Sequence, residues 1–332
     1  MTDEEKHKKF DVIIGNPPYQ EDTNGAGRQA KPLYNLFVEQ AKLLNPQDLS
    51  LIIPSRWFAG GMGLNKFRDD MMNDTHIKQL VDYTNAKDCF PNTSIGGGVC
   101  YFVRDSSYDG ECDFINIRNG KSHEMKRKLN EFPVLVRYNE AIDIIRKVLA
   151  KHEKMLSTII SSLMPFGLNT SYRGRDHKSD KDNLRLYASS DSVTYINKNE
   201  ITKGFEYIDK YKVMISKTSA EHAGEPKKDG TFRVIPSSLR VLKPNEVCTH
   251  SYFLIGCFDQ IDDAEKIYKY LQTKLVRFLI LMSLSGIGLS KLVFNFVPYP
   301  DMTQVWTDDA LYQKYDLNDD EIDFIESMIA DF

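Results

Sequence analysis

At 332 residues the chain has room for about two domains and a sizeable core. The net charge of −4 is uneven: residues 301–332 hold ten carboxylates and one lysine, which leaves the first 300 modestly basic at +5. That balance is enough for a groove that contacts phosphates. The five cysteines (Cys89, Cys100, Cys112, Cys248, Cys257) are odd in number and include no Cys-x-x-Cys pair, which argues for reduced thiols and against a zinc site or disulfide framework. The amino terminus has no apolar signal core. The most apolar stretch, residues 275–289, contains Arg277 and falls short of the about 20 residues a bilayer requires, so a cytoplasmic protein with no membrane contact and no metal is expected.

In chain order, the first apolar run is Phe10-Asp11-Val12-Ile13-Ile14-Gly15, which reads as a buried strand ending on glycine. Asn16-Pro17-Pro18-Tyr19 follows at its carboxyl end, where open α/β sheets bind ligands. The Asn16 amide oxygen can accept from an exocyclic amine. Pro18 restricts Pro17, so that a backbone carbonyl can be held toward the same amine. Tyr19 offers a ring face for stacking. Such a site could hold an adenine taken out of a duplex, its N6 aimed at an electrophile. Gly25-Ala26-Gly27 belongs to the loop after the motif.

Residues 32–44 have a helical period, 49–55 read as a second buried strand, 63–73 as a helix and 77–83 as a third strand. Phe90 and the glycines 96–98 precede a strand at 99–103. Those glycines lack a following Lys-Ser/Thr and a helix, so they read as a tight turn into the strand, not a phosphate loop. Residues 134–149 are helical by period and connect two halves. Beyond Leu156 the texture changes to short strand-like runs between polar loops: 184–188, 211–216, 232–235 and 251–255. Asn169, Ser171, Tyr172, Arg173 and Arg175 form a donor-rich loop; arginine pairs with guanine edges and asparagine with adenine edges, although loop arginines also serve as phosphate contacts or solvated charges. Lys217, His222, Lys227, Lys228 and Arg233 form a second basic cluster suited to backbone contact. Residues 319–329 form an acidic amphipathic helix, with carboxylates in its first turn that complement the helix dipole.

Asp11 to Tyr19 resembles the catalytic motif of N6-adenine DNA methyltransferases, above all the amino-methyltransferases of restriction–modification systems, including the fused type IIG-like form. A bare Asn-Pro-Pro-Tyr also occurs in protein-glutamine and RNA methyltransferases. The resemblance extends to 49–55, to the turn Pro165-Phe166-Gly167-Leu168-Asn169-Thr170 that opens a target recognition domain, and to 306–325. It implies an α/β fold: the second half of a Rossmann-like methyltransferase sheet at 5–125, a connecting helix at 126–155, and an α+β target recognition domain at 156–332 closed by helices. It implies Asn16, Pro17, Pro18 and Tyr19 as catalytic residues and Phe90 as the base-stacking aromatic, with plain core as the other reading of Phe90. Asn169, Arg173, Arg175, Lys217, Lys227 and Lys228 become the candidate contacts to double-stranded DNA.

The implied cofactor is S-adenosylmethionine, whose glycine-rich loop precedes the catalytic motif in the family. Only fifteen residues precede Asn16, and a strand–helix unit needs about 30, so the donor motif is not found here. Some adenine methyltransferases are permuted. The downstream candidate, Gly286-Ile287-Gly288, follows a helical period where a strand is required. Site-specific adenine methylation, incomplete as this chain alone, is therefore expected, the alternative being a non-catalytic specificity fragment or split subunit. The sheet edge at residues 12–14 should associate with itself or with a separate donor-binding subunit. Asp113 with Glu124-x-Lys126 loosely fits a metal-nuclease pattern, but the family runs a plain connecting hairpin there, and cleavage is not expected.

Overall fold

The structure, a computed structural model, describes residues 10–21, 30–61, 63–93, 95–118, 120–189, 192–220, 226–284 and 288–332. It divides into two compact units, 1–142 and 143–332. The first is built on a mixed six-stranded sheet: β1 (Val12–Gly15), β2 (Asp48–Pro54), β3 (Ile77–Tyr83), β4 (Val99–Asp105), β5 (Cys112–Arg118) and β6 (Lys121–Arg127), in the spatial order β1-β2-β4-β3-β5-β6. β1 runs parallel to β2 with Gly15 opposite Leu51, and β3 runs parallel to β5. β4 is antiparallel to both β2 and β3, so its first residue, Val99, pairs with the last of each, Pro54 and Tyr83. The carboxyl ends of β1, β2, β3 and β5 therefore share one rim of the sheet.

Helices α1 (Tyr34–Leu43) and α2 (Asn65–Met72) bury Tyr34, Val38, Ala41, Phe67 and Met71 with Leu49, Leu51 and Ile53 of β2 and with Trp57, Phe102 and Phe114. Aromatic edges fill the centre: Trp57 meets Phe58 and Phe67 edge-on at 4.7 and 5.8 Å. The structure corrects the reading of the first strand as buried. Ile13 packs on this core, but Val12 is 59% and Ile14 80% exposed, because β1 is the sheet's end strand and alternation turns both to the open face. Helix α1 also leaves Leu36, Phe37 and Leu43 exposed.

Two further expectations are corrected. Helix α3 spans Glu140–Leu149, whereas the period predicts a start at 134. The six residues before it are irregular and tied to the sheet instead: Arg127 donates to the Val136 carbonyl (2.7 Å), Arg137 to Asp82, and the Asn139 amide to the Phe114 and His123 carbonyls (2.7 and 2.9 Å). Residues 232–235 form no strand. Phe232 makes one parallel bridge to Ile329, and Val234 has φ +67°, which breaks extension.

The second unit holds two three-stranded sheets. β9 (Tyr211–Ser216) lies antiparallel between β10 (Arg240–Leu242) and β12 (Tyr252–Phe258); β7 (Leu184–Tyr187) lies between β8 (Val193–Ile196) and β11 (Glu246–Cys248). They share a core that includes Phe166, Leu186, Ile196, Met214, Leu242 and Leu254. Helices α4 (Ile261–Tyr270), α5 (Lys274–Ser283), α6 (Asp308–Lys314) and α7 (Asp319–Met328) close the unit. Asn318 and Glu321 form a capping box on α7, and Phe324 meets Phe278 of α5 edge-on at 5.7 Å. The acidic tail is docked by ion pairs within its own unit: Lys147 with Glu321 (2.6 Å), Lys274 with Glu326, and the tail's own Lys314 with Glu153 (2.6 Å). No helix among the described residues is long and apolar enough to cross a membrane.

Candidate active site and nucleic-acid interface

Asn16 follows β1 directly on the sheet rim, with its side chain exposed; Pro18 is exposed and Pro17 half-buried. The chain then folds back on itself: Leu33 N donates to the Tyr19 carbonyl (3.1 Å), Glu21 N to the Lys31 carbonyl (2.9 Å), and Gln20 bridges Pro32. The motif is thus clamped between β1 and α1. Gly25, Ala26 and Gly27 lie outside the described residues.

The Tyr19 hydroxyl is buried and makes no hydrogen bond of normal geometry. Its pKa is pushed up to about 12, first by burial, then by Cys89 and Cys100, with the nearby Asn16 amide offsetting part of the rise. Tyr19 is therefore a neutral phenol at any physiological pH, suited to stacking and unable to serve as a base. Cys89 precedes Phe90, so the loop between β3 and β4 comes close to Tyr19. Phe90 is half-buried, its amide held by the Ala86 carbonyl at 2.7 Å. The Tyr34 hydroxyl and Asn35 Oδ1, just after the Leu33 that bonds Tyr19, are two more buried oxygens without hydrogen-bond partners.

One buried carboxylate braces the rim. Asp82 is 0% exposed, and its two oxygens accept from Ser55 Oγ (2.7 Å), Arg137 Nη2 (2.8 Å), Arg137 Nε (2.6 Å) and Asn116 Nδ2 (3.3 Å). The ends of β2, β3 and β5 are joined through this one group. Gly98, at φ +82°, enters β4 so tightly that a Cβ there would lie 2.2 Å from the Tyr83 carbonyl oxygen and 2.7 Å from Arg137 Nη2. Gly98 thus closes a tight turn into β4 that no side chain could enter.

S-adenosylmethionine does not fit the described residues. The loop after β1 is Asn-Pro-Pro-Tyr where a donor loop needs glycine, and Asp82, the acid near the end of β3, is spent on Arg137 and cannot hold a ribose. Gly286 and Ile287 of the permuted candidate lie outside the described residues, while Gly288 bridges Thr218. Asp113, Glu124 and Lys126 share one face of the β5–β6 hairpin, with Lys126 Nζ 3.8 Å from Asp113. No group of three or more His, Cys, Asp or Glu side chains among the described residues could hold a metal ion.

In the second unit Asn169 and Arg173 are exposed. Ser171 Oγ donates to Asn169 Oδ1 (2.8 Å), and Arg173 Nη1 donates to the carbonyls of Thr170 and Tyr172 (2.9 Å each). Arg175 is engaged differently: Glu200, which also takes the Tyr172 hydroxyl, pairs with its guanidinium, and Asp182 lies 3.7 Å away. The structure splits the second basic cluster. Lys217 meets the Asn169–Arg173 loop through Thr170 (3.5 Å), whereas Lys227 and Lys228 sit exposed on a separate turn. His222 lies outside the described residues. Arg233 stacks over Phe332, 5.1 Å from the ring centre. His250 joins Lys217 and Thr170; no local pattern in the sequence marks it, since its neighbours come from distant segments.

Comparison with known proteins places these features. Residues 1–90 match the family model described as Eco57I restriction-modification methylase. An uncharacterized adenine-specific methylase of Mycoplasma pneumoniae (strain ATCC 29342 / M129 / Subtype 1) is 40% identical over 147 residues, covering 42% of this chain and 34% of that protein. Among solved structures, the type IIG restriction endonuclease BpuSI is 12% identical with a TM-score of 0.38, covering 97% of this chain and 49% of that one. The type IIL restriction-modification enzyme MmeI, in complex with DNA, is 11% identical with a TM-score of 0.44, covering 87% and 46%. The chain therefore spans about a third of the curated relative and just under half of either enzyme. Residues 1–90, which hold Asn16-Pro17-Pro18-Tyr19, are thus similar to the Eco57I restriction-modification methylases, and part of the chain is similar to an adenine-specific methylase.

Proposed function

We propose that this chain supplies the adenine-holding half of a site-specific DNA adenine-N6 methyltransferase, joined to a unit that recognises the DNA target. The observation that carries the reading is the placement of Asn16-Pro17-Pro18-Tyr19 on an open sheet rim, beside the loop that bears Phe90. The Asn16 amide oxygen and the Pro17 carbonyl accept hydrogen bonds from the N6 amine, orient its lone pair and stabilise the positive charge it gains on attack. Tyr19 and Phe90 stack on the extruded base. Asn169 and Arg173 read or position the duplex, with Lys217, Lys227 and Lys228 on its phosphates.

The methyl donor, S-adenosylmethionine, is held by sequence outside the described residues, in the same polypeptide or in a partner subunit. The end strand β1 supports this, since Val12 and Ile14 are exposed beside the motif. The same edge favours a second reading, a non-catalytic specificity fragment that binds DNA on behalf of a partner. Calorimetry tests both. The chain alone should bind no S-adenosylmethionine at micromolar concentration, and should gain binding and adenine methylation when a donor-binding half is added. DNA binding without such a gain would favour the specificity fragment. Micromolar donor binding by the chain alone would overturn the division of labour.

A further inference from the structure

Three side chains from distant parts of the second unit meet at one point. Lys217, just after β9, has its Nζ 3.4 Å from His250 Nδ1 and 3.5 Å from Thr170 Oγ1, and Thr170 Oγ1 lies 3.2 Å from the same His250 nitrogen. Backbone bonds fix the segments that carry them. His250 N donates to the Leu168 carbonyl (2.9 Å), Lys217 N to the Ser251 carbonyl (3.0 Å), and Leu289 N to the Lys217 carbonyl (2.8 Å). Arg173 caps the Thr170 carbonyl from the adjoining turn. Among the described residues no carboxylate pairs with Lys217. A cation, an imidazole and a hydroxyl thus converge with no anion among the described residues paired to them, which is the chemistry of an anion seat.

We propose that Lys217, His250 and Thr170 form a seat for one phosphate group, and that His250 takes up a proton when the seat is filled. The proposal rests on the reading of this unit as a DNA-recognition unit, and it names the nucleic-acid backbone as the source of the phosphate. His250 Nδ1 can accept from Lys217 only while the ring is neutral. Burial acts first, and then Lys217 and Lys203, the charged groups among the described residues whose fields lower it, to hold the His250 pKa below the usual value. A phosphate between Lys217 and His250 reverses that field. Lys217 turns to the phosphate, and the protonated ring donates to a phosphate oxygen or to the Thr170 hydroxyl. Binding then takes up a proton, so affinity falls as pH rises through the pKa of the filled state.

The experiment follows the His250 ring by NMR through a pH titration, alone, with a mixed-sequence duplex and with inorganic phosphate, the signal assigned by its loss in His250→Gln. Duplex should raise the His250 pKa by about one unit or more. Duplex affinity should fall as pH rises through the titration of the His250 ring in the native chain but not in His250→Gln. Lys217→Gln should lower the log–log salt slope of duplex binding by about one. A ring that responds to inorganic phosphate in a chain that binds no duplex would keep the seat, assign it to free phosphate and overturn the nucleic-acid reading. Duplex binding with an unmoved His250 ring, and an unchanged slope in Lys217→Gln, would overturn the seat while leaving DNA recognition in place.

Discussion

Arg137→Met should be among the most destabilising single changes in the first unit, and its cost follows from the surroundings of Asp82. That carboxylate is fully buried on β3 and takes two charge-assisted bonds from Arg137, at 2.6 and 2.8 Å. Ser55 and Asn116 donate the remaining two, and neither carries charge. Methionine keeps much of the stem volume but strands a buried charge, a loss of about 3–5 kcal/mol. Domains of this size are stable by about 5–15 kcal/mol, so a large share would go. The double variant Asp82→Leu, Arg137→Met removes the charge along with its partner and leaves only the Ser55 and Asn116 donors unmet, about 1–3 kcal/mol each. Its cost should therefore be close to that of Arg137→Met alone and well below the sum of the two single changes, so the changes should be strongly non-additive. Urea unfolding of the four proteins of this cycle measures the coupling. Additive losses, or an Arg137→Met cost below about 1 kcal/mol, would refute the view that this pair braces the rim carrying Asn16.

Three further outcomes are expected. Ile14→Lys places a charge on the bare face of β1 and should reduce concentration-dependent association, read as mass by light scattering; a native chain that is monomeric at every concentration would contradict the sticky edge. Arg173→Ala should weaken duplex binding and, if it reads a base, relax preference at one position by about 1–3 kcal/mol, whereas Lys227→Ala and Lys228→Ala should weaken all sequences alike in a salt-dependent way. Lys212, buried and held by the carbonyls of Ile208, Lys210 and Lys243, has its pKa pulled down to about 8 by burial. Between about pH 8 and 10.4 the unfolded chain holds the extra proton, so stability from this group rises with pH by roughly 3 kcal/mol, fully present above the unfolded pKa and lost as pH falls through the folded one. Lys212→Met should lack that rise in pH-dependent melts.

What the sequence shows and hides has a physical pattern. β2, β3, β9 and α7 are legible because apolar period and burial coincide in them, whereas the strand into Asn16 shows its extent but not that Val12 and Ile14 face outward. The hairpin strand β6, Lys-Ser-His-Glu-Met-Lys-Arg, is not: the residue it buries fully is Arg127, which is held by hydrogen bonds to Asn139 and the Val136 carbonyl. Residues 134–139 have a helical period but are captured by Arg127, Asp82 and the Phe114 carbonyl, partners no local window contains. The Lys217–His250–Thr170 cluster is hidden for the same reason, since β9 and β12 must pair before those side chains meet. Arg175 reads as a free donor in sequence, and only the fold reveals Glu200 beside it.

The central claim is that Asn16 holds the adenine amine. The most direct measurement is N6-methyladenine formation by this chain joined to a donor-binding half, compared between the native sequence and Asn16→Ala, with duplex affinity read on the same samples. Loss of the amide should lower methylation by about a hundredfold or more, while duplex affinity stays within a few fold. Undiminished methylation by Asn16→Ala, in a complex whose native form is active, would contradict the account.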